Sequence, residues 1–407
     1  MKRLALVLVV ACSSNETTMT PLQPCGTQTG TGCAPDSARV DLGTPTFSQP
    51  MQFDNPLHPL PESVLLLGTD GGEPLRVEVT LLPNPKSISW NGGIQAAESQ
   101  YLAYIDGRIA EVALDWFAQD DGGAVWYLGE DVFNYDDGVV EDTEGTWQAG
   151  RDGPGGMIMG ASPAVGNVWR PENSPPIVFE EVTVMQTGVT VDGPRGPVTG
   201  AIVVRELHLE GDTEDKTFAP GYGEFSTIDG ADLEAVALAV PTDALGTPVP
   251  AALDDLATAA NAHDARAAWD AFRAAGPVPP RLATQTEDAV SKLEDAGDAD
   301  ERAEATLEVH MAALDLELRH RPVVEIDEGR FGLWTERLVL DADAGEGGDV
   351  RGDVATLERI RDRFAHTLAD RATLDAKLAE LRTAADAGKL TTAGRIAAEL
   401  GDLAATW

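Results

Sequence analysis

The residues best equipped for chemistry in this chain are carboxylates crowded into one stretch. From Asp106 to Glu144 there are twelve Asp and Glu against a single cation, Arg108. Within it, Asp120-Asp121-Gly122-Gly123 and Asp136-Asp137-Gly138 are flexible, oxygen-rich turns of the kind that suits calcium. Asp120, Asp121, Asp136 and Asp137 are therefore candidate ligands, and calcium is the one cofactor the sequence suggests. The spacing matches no EF-hand loop, and a solvated acidic face is the competing reading. Trp116, Trp126 and Trp147 fall in the same region, either as a platform for a carbohydrate or lipid or as core packing. Two histidines, His263 and His310, align with apolar stripes of predicted helices, where bundle cores can hold a transition metal. No Glu-x-x-His pair accompanies them. Nucleophile elbows, Walker loops and His-Glu-x-x-His are all missing, so a non-enzymatic role is expected. Paired carboxylates for glycoside hydrolysis stay open, because their separation is invisible in sequence.

These groups must be positioned by elements that the chain announces by texture. Residues 62–240 carry short β-branched runs such as Leu75–Leu81 and Ile177–Val184, separated by Gly, Asp, Asn or Pro. Leu114–Gln119 and Ala124–Leu128 flank the Asp120–Gly123 turn as a hairpin, and Val132–Tyr135 extends it to a meander. After Thr247-Pro-Val-Pro250 the grammar becomes helical. Helices are expected over Ala251–Ala275, Leu282–Ala296, Asp300–His320, Asp327–Ala342, Val350–Ala385 with a break near Asp370, and Thr391–Ala405. The expected fold class is α+β and multidomain: an antiparallel β domain (62–240) with an open or half-barrel sheet, then an all-α helical bundle (249–407).

Charge limits the partners. With 68 Asp and Glu against 29 Lys and Arg, the net charge is -39 over 407 residues. Such an excess repels phosphate backbones, so nucleic acid is not an expected partner.

At the N-terminus, Lys2 and Arg3 precede the apolar run Leu4–Val10, which ends in Val9-Val10-Ala11-Cys12. This resembles the lipobox of bacterial lipoproteins. The resemblance implies a signal peptide over residues 1–11, lipidation of Cys12, a membrane anchor as partner, and an extracytoplasmic place in the cell envelope. Residues 12–61, rich in Ser, Thr, Gln, Pro and Gly, read as a disordered tether. Within them Cys25 and Cys33 enclose a flexible loop and are expected to form a disulfide, a metal pair being the alternative.

A second resemblance rests on Asp115–Glu130, Glu144-Gly-Thr-Trp147, Met159–Gly166 and Phe218-Ala-Pro-Gly-Tyr-Gly223. These segments are similar to a group of uncharacterised bacterial secreted proteins, and in layout to the half-barrel sheets of lipoprotein carriers. They imply a β domain that binds an apolar or envelope-derived ligand, or an envelope protein. The expected function is thus an envelope-anchored, non-enzymatic binding lipoprotein, with a metal-binding lipoprotein or a glycan-active enzyme as alternatives.

Overall fold

The computed structural model describes residues 33–175, 177–209 and 211–407. The leader, Cys12 and Cys25 lie outside the described residues. Fifteen strands form one antiparallel sheet. The first run comprises β1 (Ser63–Asp70), β2 (Glu73–Leu81), β3 (Lys86–Ile88), β4 (Ile94–Ile105), β5 (Arg108–Gln119), β6 (Val125–Asp136) and β7 (Val139–Asp142). Two short strands, β8 (Trp147–Gln148) and β9 (Gly156–Met159), pair with β6. The second run is β10 (Val168–Ser174), β11 (Val178–Gly193), β12 (Gly196–His208), β13 (Thr213–Ala219), β14 (Gly223–Asp229) and β15 (Asp232–Val240). The order is β10-β11-β12-β13-β14-β15-β1-β2-β4-β5-β6-β7, with β3 on β4. The last strand pairs with the first, Ser63 opposite Val240, so two meanders are joined at the middle of the sheet.

The sheet is open in its pairing but strongly curled. Tyr101 on β4 donates its hydroxyl to Glu234 on β15 at 3.2 Å, although β1 and β2 lie between them. Three strand spacings would span about 14 Å on a flat sheet, too far for these two side chains to bridge. At the other extreme, Trp147 Nε1 on β8 donates to Glu172 on β10 at 2.7 Å, so the two ends of the sheet meet. The antiparallel β domain with an open sheet, one of the two forms expected, is found, and its curl brings its ends together.

The hairpin between β5 and β6 closes on its acidic turn. Asp120 N–H bonds Ala124 C=O at 2.9 Å, and its carboxylate accepts from the N–H groups of Gly122 and Ala124. Gly123 takes the positive φ (88°) that an L-residue would resist.

Eight helices follow: α1 (Ala251–Ala257), α2 (Ala262–Ala275), α3 (Pro280–Asp295), α4 (Ala299–Glu317), α5 (Val323–Ala344), α6 (Gly347–Phe364), α7 (Arg371–Asp386) and α8 (Leu390–Ala404). The single helix expected over Ala251–Ala275 is two, because Asn261 caps a new start by accepting from Asp264 N–H. The break expected near Asp370 is real, and Asp370 caps α7.

The helices cover the outer side of the curl. Leu65, Leu238 and Val240 pack with Leu253, Trp269 and Leu316; Leu102, Tyr104 and Val112 pack with Phe331, Trp334, Val354 and Phe364. Two of the hydrophobic cores are therefore shared between sheet and helices, while two others belong to the β part alone. At one docking point a Cβ on Gly138, in the β6–β7 turn, would sit 2.2 Å from Gly348 O of α6.

Residues 33–61 differ from the tether expected of them. They run along the β domain as an ordered strap. Ala34 N–H bonds Glu181 at 2.7 Å, the backbone N–H groups of Asp54 and Asn55 bond Gln119, and Asn55 Nδ2 reaches the carbonyls of Gly123 and Gly160. Phe47, Phe53 and Leu57 pack on the aromatic core. The partners stand roughly 65 to 150 residues away in sequence, which is why no local pattern betrays the contacts. Cys33 is disulfide-bonded; its partner lies outside the described residues.

Candidate functional site

Each strand of the curl has an inner face toward the opposite wall and an outer face, which meets the helices around β15, β1, β4 and β5 and solvent at Arg205 and Asp215 of β12 and β13. The alternation Glu111-Val112-Ala113-Leu114-Asp115 puts Val112 and Leu114 outward, against the helices, and both acids inward. The same alternation recurs around the sheet. The inner carboxylates are Glu111 and Asp115 (β5), Glu130 (β6), Glu172 (β10), Glu180 (β11), Glu206 (β12), Glu214 (β13), Glu224 (β14) and Glu234 (β15). Against these nine stand Lys216 and His208. Apolar residues of the curl, among them Val77, Ala103, Phe225 and Val236, fill the neighbouring volume.

The band divides into two halves. In the β12–β14 half, the Lys216 ammonium lies 2.9 Å from Glu206, 3.1 Å from Glu214 and 4.0 Å from Glu224. His208 bridges Glu180 at 3.7 Å and Glu214 at 3.4 Å. Burial works against the Lys216 charge, but the surrounding carboxylates outweigh it and push its pKa well up. Burial would raise Glu214, yet His208 and Lys216 hold it down to about 2, and Lys216 likewise lowers Glu206.

In the β5–β6–β10 half, Glu111, Asp115, Glu130 and Glu172 form no ion pair with any Lys, Arg or His among the described residues. Burial drives their pKa values upward, and repulsion from neighbouring carboxylates adds to it at Asp115, Glu130 and Glu172. Asp115 is pushed up to about 7 despite the hydroxyl of Tyr127 at 2.8 Å, and Glu130 up to about 8 by burial and the Asp115 charge. These two stand directly opposite each other in the β5–β6 ladder. Glu172 goes well up through burial and the Glu130 charge, and shares a hydrogen bond with Glu130. Glu180 and Glu206 share another. Like charges this close cannot all ionise, so protons are held in carboxyl–carboxylate pairs. Burial and the Glu224 charge push Glu234 up to about 8 as well. At neutral pH the inner wall is thus a store of shared protons.

The outer face carries a buried charge cluster of another kind. Arg76 and Glu78 of β2 meet Asp315 of α4, Asp327 and Arg330 of α5 and Arg363 of α6. Arg363 lies 2.6 Å from Glu78, Arg330 2.9 Å from Asp315, and both 3.3 Å from Asp327. Arg76 reaches both Glu78 and Asp315. Three guanidiniums balance three carboxylates, and the cluster bolts the helices to the sheet.

The residues singled out by sequence fall elsewhere. Asp120 and Asp121 sit at one end of β6, Asp136 and Asp137 at the other. Twelve residues separate the turns, about 40 Å of strand, so the structure does not bring the four together. Asp120 also accepts from Trp126 Nε1 at 2.8 Å, Asp121 holds Thr46 and Ser48 of the strap, and Asp137 holds Arg351 of α6. His310 Nε2 lies 3.0 Å from the Ala259 carbonyl, and His263 is exposed at the start of α2. Among the described residues no three His, Cys, Asp or Glu side chains are placed to hold a metal ion. Trp116, Trp126 and Trp147 are buried in the aromatic core at the sheet's end. Trp116 donates to Glu98 at 3.0 Å, and only Trp147 reaches the inner band, through Glu172. No helix among the described residues is long and apolar enough to cross a membrane.

The strand-borne acids were missed as a site because alternation alone reads them as a solvent face. Their signal is the recurrence of acid within β-branched strands that carry an opposite apolar face. No protein-family model, curated protein or solved structure matches the chain.

Proposed function

We propose that this chain is a binding protein whose curled sheet takes a small cationic molecule, a primary amine or polyamine, against its inner carboxylates. The observation that carries the reading is Lys216. One half of the band already surrounds an ammonium group with Glu206, Glu214 and Glu224; the other half repeats the carboxylates with protons in place of the cation. An ammonium ion entering beside Glu130 and Glu172 would displace shared protons and gain charge-assisted hydrogen bonds. The neighbouring apolar residues suit the alkyl part of such a molecule. In this reading an amine replaces the apolar ligand expected from the strand pattern. Lys2-Arg3, the apolar run and Cys12 support a lipid anchor in a bacterial envelope, where the acidic surface would face an extracytoplasmic medium.

Calorimetric titration of the full chain with spermidine at pH 7.5 tests it. Saturable binding that weakens roughly tenfold or more in an E130Q/E172Q double variant is expected, since hydrogen bonds to charged groups contribute about 1.5–3 kcal/mol. Absent binding, or equal binding by the variant, overturns it. A lipid-sized mass retained in native mass spectrometry would return the apolar ligand to first place.

A glycan-active enzyme is the second reading, favoured by the facing pair Asp115 and Glu130, whose raised pKa values would let one carry a proton while the other is ionised near neutral pH. Hydrolysis of nitrophenyl glycosides that D115N abolishes would establish it; an inert wild-type chain across the panel removes it.

A further inference from the structure

A second cleft has the opposite electrostatic character. It measures about 960 Å³ and opens between the tip of the β11–β12 hairpin, β15 at Val236–Ala237 and the start of α3. Three arginines line it, Arg195, Arg281 and Arg319, in a chain with few cations to spare. Arg319 is only 7% exposed, and its Nε has no hydrogen-bond partner. Burial lowers the pKa of both Arg319 and Arg281, and the Asp243 charge only partly offsets it at Arg319. Asp243 is itself engaged by the Tyr222 hydroxyl at 2.8 Å and Ala239 N–H at 2.9 Å. Asp192, on the hairpin tip, is exposed.

The helix start adds to this field. Helix α3 begins at Pro280 with no side-chain cap at Pro279 and no acid in its first turn. Its positive dipole end therefore faces the cleft unopposed. Val236, Leu245 and Val278 supply an apolar wall beside the arginines.

We propose that this cleft binds a small phosphate-bearing molecule, with Arg319 and Arg281 gripping the phosphate and Arg195 closing over it from the hairpin. The planar guanidinium suits phosphate oxygens, and the size admits one group with a short attached chain. A lipid headgroup and a soluble phosphate ester share this chemistry.

The test uses the full chain with inorganic phosphate as probe, titrated by calorimetry at fixed ionic strength. Saturable binding is expected, weakened roughly tenfold or more in R319Q and in R281Q and unchanged in R151Q, an exposed control with the same loss of charge. No saturable binding, or variants indistinguishable from R151Q, overturns the proposal. If R319Q fails to fold by circular dichroism, R281Q and R195Q decide alone, because they are partly or fully exposed. Dihexanoyl phosphatidic acid then separates the sources: tenfold tighter binding than phosphate supports a lipid headgroup, equal binding a soluble ester, and no binding of either probe overturns the site.

Discussion

Two buried charge clusters on opposite faces of one sheet are built in opposite ways. On the outer face, Glu78, Asp315 and Asp327 are matched one for one by Arg76, Arg330 and Arg363. On the inner face nine carboxylates confront Lys216 and His208. A balanced cluster satisfies itself, so it serves to join elements. An unbalanced cluster must borrow protons or a foreign cation, and so responds to its surroundings. The difference in stoichiometry, more than the degree of burial, separates structural charge from the candidate site.

The largest effect is expected from breaking the balanced side. Arg363→Met leaves Glu78 and Asp327 short of a partner and should cost about 3–5 kcal/mol in chemical denaturation. A loss under about 1 kcal/mol would show that the outer cluster does not bolt helices to sheet.

Next comes Lys216→Ala. Removing the ammonium from Glu206, Glu214 and Glu224 should destabilise by roughly 2–3 kcal/mol, and millimolar propylamine should restore part of the loss. Restoration by propylamine but not by sodium at equal ionic strength is the result that sharpens the contrast; no restoration would count against an amine site.

The inner acids and the outer pair Glu78 and Asp315 should also answer pH with opposite signs. Asp115, Glu130 and Glu234 have folded values near 7 to 8, above those of the unfolded chain. Between about pH 4 and pH 8 the folded protein holds more protons than the unfolded one. Stability from these groups therefore falls as pH rises through that window, on the order of 1–3 kcal/mol, and E130Q should flatten the slope. On the outer face, burial would raise Glu78 and Asp315, but the neighbouring arginines hold both low. Their contribution is present above pH 4 and is lost as pH falls below it. Melting curves from pH 3 to 9 would show the two limbs, and a profile flat from pH 5 to 9 would contradict the inner account.

The smallest effect is Trp147→Phe. It deletes the 2.7 Å bond to Glu172 while keeping most of the ring packing, for a loss of about 1 kcal/mol. That bond favours the Glu172 anion, whose pKa burial and the Glu130 charge raise, so the loss should be smaller at low pH than at high pH.

Much of the architecture is legible in the chain. Asp120–Gly123 fixes a hairpin because glycine and aspartate satisfy a tight turn locally, and proline or glycine stops mark most helix ends. The split at Asn261 was hidden in an Ala-rich run without either residue, although an Asn three places before Asp264 is a usable cap signal. The strap over residues 33–61 was illegible because the bonds that tie it to the sheet are long-range. The site was half legible. Glu111, Asp115 and Glu130 stood out as part of an acidic stretch, but attention goes naturally to turns, where acids such as Asp136 are merely solvated. What turns strand acids into an interior is curvature, which brings Glu172 to Glu130 across 42 residues and leaves no mark on any local window.

The central claim, that the inner wall holds shared protons which a cation displaces, is tested most directly by counting protons. Titrating the full chain with spermidine at pH 7 in PIPES and in HEPES, which carry neither a primary amine nor a phosphate and differ in ionisation heat, gives the number released per ligand bound. A release of about one proton or more per spermidine, falling in E130Q/E172Q, is the predicted result. Binding without proton release, or no binding, would contradict it.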